Sequence, residues 1–81
     1  MEIIVTYTSI DHCYMRRKFR TLEGAQRFAW KMVGESPEIG TVFQYAVSAD
    51  GIGKIEVRGA SLSLLFPKVA WMTAPTPAQE F

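Results

Sequence analysis

Leu22, Ala25, Phe28, Ala29, Met32 and Val33 recur at three- and four-residue spacing. A chain carrying one such stripe must find a second layer to cover it. Thr21 just before the stripe is a good N-cap, Glu23 places a negative charge in the first turn, and Gly34 follows as a natural stop. Glu23, Arg27 and Lys31 fall on the opposite face at i, i+4 spacing. Gly24 weakens the first turn by about 1 kcal/mol relative to alanine, so the helix depends on packing. The spacing predicts a helix over 22–33.

On both sides of that segment the apolar period changes from 3.6 to two, the signature of strands. Met1 to Thr8 alternates, with Ile3, Val5 and Tyr7 on one side and Ile4, Thr6 and Thr8 on the other. After the polar break Ser9–His12, residues 13–20 read as its hairpin partner. Cys13, Met15 and Phe19 face inward with Arg17 as a misfit, and Tyr14, Arg16, Lys18 and Arg20 face outward. Residues 35–40 read as a loop and Thr41 to Ser48 as a third strand. Asp50-Gly51 is a hairpin-turn signal leading to a fourth strand around Lys54–Arg58. Gly59-Ala60 reads as a bulge or a second turn. Ser61–Phe66 alternates once more before Pro67. Residues 73–81 have the composition of a flexible tail. The expectation is a single α+β domain over 1–72, a two-layer sandwich in the order β-β-α-β-β. Its antiparallel sheet has four strands, five if 61–66 pairs as well, with the helix packed on one face and the other face open to water.

Composition narrows the function classes. The 81 residues are 48% hydrophobic and 21% charged, too apolar for a disordered chain. The net charge is +1, so the whole molecule is neither a polyanion mimic nor a polycation. No apolar run reaches the roughly 18–20 residues that span a bilayer. Residues 1–5 lack a basic n-region and a long apolar region, which predicts no signal peptide. One cysteine makes no internal disulfide, which fits a reducing, cytoplasmic setting.

Catalytic residue types gather only at Asp11-His12-Cys13. Neighbours on an extended chain point to opposite sides, so His12 is badly placed to activate Cys13, and the segment reads as a polar turn before a buried thiol. One cysteine and one histidine fall short of the four ligands of a zinc site. Gly51-Ile52-Gly53 lacks the third glycine and the helix of a dinucleotide loop. The carboxylates are scattered singly. The expectation is a non-enzymatic protein without metal or cofactor.

The run Met15–Arg20 is more informative. Arg16, Arg17, Lys18 and Arg20 place four of nine cations within five residues. On a strand, Arg16, Lys18 and Arg20 project beside Tyr14 at a spacing of about 6.6–7 Å. Lys54 and Arg58, with Glu56 between them, add charge from a later strand. Such a face docks on an acidic protein surface, stacks a base while neutralising phosphates, or simply keeps the sheet soluble. Trp30 falls off the helix stripe near Glu23 and Gln26. It either covers the sheet edge or the chain arriving from Trp71, or stands exposed as a binding hot spot. Tyr14, Arg16, Lys18, Arg20 and Trp30 are therefore the expected partner-binding residues. The partner is a protein or nucleoprotein complex, with single-stranded nucleic acid as the alternative. Residues 61–72 offer an apolar edge for a homodimer.

The segment Thr21-Leu22-Glu23-Gly24-Ala25-Gln26-Arg27-Phe28-Ala29, leading to Gly40-Thr41-Val42, resembles the middle of small phage- and plasmid-encoded ββαββ proteins, a group that includes some anti-CRISPR inhibitors. Their single helix opens with Ser/Thr-Leu-x-x-Ala and is followed by a hairpin. The resemblance covers about a quarter of the chain. It implies a stoichiometric inhibitor acting by surface contact on a nucleoprotein complex, and it carries no functional residue onto this sequence.

Overall fold

In the computed structural model, which describes residues 2–40 and 44–71, the helix predicted from the stripe spans Leu22–Val33. We number this helix α1. The Thr21 side chain caps it by accepting the Gly24 N–H at 3.2 Å, and Gly34 ends it at φ +89°, a conformation natural to glycine. Ala25, Phe28, Ala29 and Val33 are buried. Before α1 come the strands β1 (Ile3–Ser9) and β2 (Tyr14–Phe19), and after it β3 (Glu38–Ile39), β4 (Ala46–Val47), β5 (Gly53–Arg58) and a single helical turn, α2 (Leu62–Leu65). The strands form one antiparallel sheet in the spatial order β2-β1-β5-β4-β3.

The architecture is α+β, as the alternating periods imply, but the order is β-β-α-β-β-β-α and differs from the expected one in three places. The expected third strand over 41–48 is a strand only at Ala46–Val47, and 41–43 lie outside the described residues. Glu38–Ile39, expected in a loop, pairs with it instead, Glu38 opposite Val47 and Ile39 opposite Ala46. The largest departure is at 61–66, which is helical. A strand there would have put Leu62, Leu64 and Phe66 on one side. The helical turn instead buries Leu62, Leu65 and Phe66 and leaves Leu64 51% exposed, the i, i+3, i+4 pattern of a helix face. Phe66 and Leu65 are wholly buried, each worth about 1.5–3 kcal/mol of hydrophobic stabilisation. A helical turn gives 61–66 no strand edge on which a homodimer through 61–72 could pair; residue 72 and the expected tail at 73–81 lie outside the described residues.

The core lies between the helices and one face of the sheet, with Ile3, Val5, Ala46 and Ile55 from the strands against Ala25, Ala29 and Val33 of α1. Two indole N–H groups tie down the C-terminal side of α2. Trp30 donates to the Leu65 carbonyl at 2.6 Å and Trp71 to the Phe66 carbonyl at 3.0 Å. Gln26 adds an amide N–H to the Leu64 carbonyl at 2.7 Å. These donors satisfy carbonyls that end a helix too short to satisfy them internally. The Asp50-Gly51 turn forms as expected: Gly51 sits at φ +77° and donates to the Ser48 carbonyl at 2.8 Å. The Ser48 hydroxyl accepts the Ile52 N–H and donates to the Asp50 carboxylate at 2.6 Å.

Candidate functional site

Strand register decides which side chains share a face. Thr6 of β1 lies opposite Arg16 of β2 and Glu56 of β5. Rows on either side of it read Lys18–Ile4–Arg58 and Tyr14–Thr8–Lys54. Val5 belongs to the intervening row, opposite Arg17 and Val57, and is completely buried under α1. Side chains alternate across a sheet, so the three rows that interleave with the core rows point away from both helices. This open face has Tyr14, Arg16 and Lys18 along its β2 margin, a middle strip of Thr8, Thr6 and Ile4, and Lys54, Glu56 and Arg58 beyond.

The face is concave. A hollow of about 510 Å³ is lined by Thr6, Thr8, Tyr14, Arg16, Glu56 and Arg58, by the apolar Ile4 and Val57, and by Gln44 from the β3–β4 connection. Sheet twist bends such a face into a saddle. Arg16 and Arg58 stand on opposite sides of the threonine strip, with Glu56 on the β5 side. Tyr14 is 64% exposed, so its ring is available for stacking. Lys18 reaches Glu2 at 3.7 Å, but both side chains are mostly exposed, and an ion pair in water contributes only about 0–1 kcal/mol. The guanidinium forks of Arg16 and Arg58 fit a carboxylate or a phosphate in bidentate fashion, and the threonine hydroxyls both donate and accept.

Three of the five expected binding residues, Tyr14, Arg16 and Lys18, thus share one face. Arg20 does not continue their row. β2 ends at Phe19 and Arg20 lies in the bend before the Thr21 cap, where strand alternation no longer applies. Trp30 belongs to the other side of the molecule. It is half-buried against the core, and its indole N–H is committed to Leu65. Arg17, the misfit of the inward set, is accommodated at the sheet edge with its guanidinium 5.5 Å from the centre of the Phe28 ring, a cation–π distance. Alternation over Thr41 to Ser48 reads Gln44 as one face of a continuous strand and gives no sign that its side chain lines the hollow.

The Asp11-His12-Cys13 cluster is an exposed turn. His12 takes φ +64°, and the Ser9 hydroxyl accepts the Cys13 N–H at 3.2 Å. Cys13 is exposed, which corrects the expectation of a buried thiol: β2 begins one residue later, so Cys13 never enters the core layer. Among the described residues no hydrogen bond joins the thiol to the imidazole, and no three of His, Cys, Asp and Glu gather as a metal site. No helix among them is long and apolar enough to cross a membrane. No family model, no curated protein and no solved structure matches the chain.

Proposed function

We propose that this protein is a small binding module that acts by surface contact and without catalysis, its open sheet face engaging a protein or nucleoprotein partner. One observation carries the reading. Both helices pack on the same side of the sheet, and no helix or strand among the described residues covers the other face, which collects Tyr14, Arg16 and Arg58 around a hollow, with Lys18 in the neighbouring row. A bare face of ordinary solubilising type needs no concavity and no exposed aromatic ring among its charges. Guanidinium and tyrosine side chains are also the types enriched where binding energy concentrates.

The decisive perturbation is the double reversal Arg16→Glu with Lys18→Glu. It should abolish capture of the partner while leaving the far-UV circular dichroism and the melting point nearly unchanged, because both side chains are solvated. Retained capture would exclude this face. The exposed Tyr14 ring beside Arg16 supports a second reading, in which the ligand is a single strand of nucleic acid. That reading requires affinity to fall steeply between about 50 and 200 mM salt through counterion release. Absence of oligonucleotide binding at the lower salt eliminates it.

A further inference from the structure

β2 ends the sheet on one side, and β3 ends it on the other. The two edges are unequal, since β3 has two residues and β2 has six. Six residues without proline are enough to template another strand. The pairing geometry shows which backbone groups are on offer. The Ser9 N–H donates to the Cys13 carbonyl at 3.0 Å, and with the β1–β2 register this bond places the hydrogen-bonded pairs of the ladder at the odd-numbered residues of β1. Such pairs alternate along an antiparallel ladder. Tyr7–Met15, Val5–Arg17 and Ile3–Phe19 therefore bond β1 to β2, and the N–H and C=O groups of Tyr14, Arg16 and Lys18 point outward. Among the described residues no strand takes them.

We propose that this edge receives an extended segment of a partner protein by strand addition, and that the segment alternates acidic and apolar side chains. The inference rests on the open-face reading, because the same three residues supply both the outward backbone and the cationic row, and it specifies how the partner is held. Acidic side chains at alternate positions of an added strand fall beside Arg16 and Lys18. The intervening side chains fall beside Met15, Arg17 and Phe19, of which Met15 and Phe19 are half-buried at the margin of the core and would be covered by an apolar neighbour. A second copy of this chain is the wrong occupant. Two β2 edges brought together would set Arg16, Arg17 and Lys18 against one another, and like charges directly opposite are destabilising. Cations on an edge strand repel copies of the same edge and by the same field attract a strand of opposite charge.

The test uses the full 81-residue chain, isotopically labelled, and a capped eight-residue peptide of alternating glutamate and valine. The comparison ligand is its fully N-methylated analogue, which carries the same carboxylates but no backbone donor. Strand addition predicts that saturating peptide slows hydrogen exchange at the Tyr14, Arg16 and Lys18 amides at least tenfold, and that the analogue binds at least tenfold more weakly. Equal binding of the two ligands, with those amides still exchanging freely, would overturn strand addition while leaving the side-chain face intact as a docking surface. Binding of a single-stranded oligonucleotide in place of the peptide would overturn it in favour of the nucleic-acid reading. Failure of both ligands to bind would overturn it as well.

Discussion

Truncating Leu65 and Leu64 in turn gives a sharp test of how the last described segment is built. Leu65 is wholly buried, whereas its neighbour Leu64 is 51% exposed. Leu65→Ala removes the γ-carbon and two methyl groups from between α2 and the core, and such truncations cost about 2–5 kcal/mol, the upper end applying where the cavity does not collapse. Collapse is hindered here because Trp30 and Trp71 hold the carbonyls of Leu65 and Phe66. A protein of this size has a total stability of about 4–12 kcal/mol at 0.05–0.15 kcal/mol per residue. A loss of about 3 kcal/mol would lower the melting temperature by roughly 12–24 °C. Leu64→Ala, at a surface position, should change stability by no more than about 0.5 kcal/mol. Urea denaturation followed by far-UV circular dichroism measures both. In an extended 61–66 segment the ranking reverses, because Leu64 would share the buried side with Leu62 and Phe66. A Leu64→Ala variant as damaged as Leu65→Ala would refute the helical turn and the packing built on it.

Three further perturbations probe separate parts of the fold. Gly59 sits at φ +88°, and an added Cβ would run into the Glu2 carbonyl oxygen. Gly59→Ala should therefore cost more than about 1 kcal/mol in a urea titration, since both strain and collision act. Thr21→Ala removes the cap on the Gly24 N–H and should cost about 0.5–2 kcal/mol, read as a lower melting point with unchanged strand signal. The Ser48 hydroxyl beside Asp50 holds its carboxyl below the usual carboxylate range. The folded chain therefore binds that proton less readily than the unfolded chain. The resulting stabilisation is present above the unfolded pKa and is lost as pH falls through the folded one. Wild type should be more stable than Asp50→Asn at neutral pH, with the gap closing below about pH 4; urea midpoints measured across that range check it.

Much of this arrangement is legible in the sequence where one periodicity acts alone. The α1 boundaries follow from the Leu22–Val33 stripe, the Thr21 cap and Gly34 because each is a local effect. Tyr14, Arg16 and Lys18 share a face because strand alternation needs no knowledge of the partner strand. Legibility fails where tertiary packing chooses between two patterns that fit the same residues. Ser-Leu-Ser-Leu-Leu-Phe satisfies a period of two and a helical turn equally well, and the indole donors of Trp30 and Trp71, remote in sequence, favour the turn. Arg17 reads as a misfit because only the fold shows that the Phe28 ring lies beside it. The hollow on the open face needs the β1–β5 register, which brings Glu56 into line with Thr6 and Arg58 into line with Ile4 across about fifty residues of chain.

The bareness of the far side of the sheet is tested most directly by thiol accessibility on adjacent residues of β1. With Cys13 replaced by serine, single cysteines are placed at Val5, beneath α1, and at Thr6, in the hollow, and their reaction with a soluble thiol reagent is timed. Thr6→Cys, half-buried in the hollow, should react within about tenfold of a free thiol, and Val5→Cys about 100-fold more slowly than Thr6→Cys, limited by opening of the core. Equal protection at both positions would mean that the far side of the sheet is covered, and the proposed recognition face would not exist.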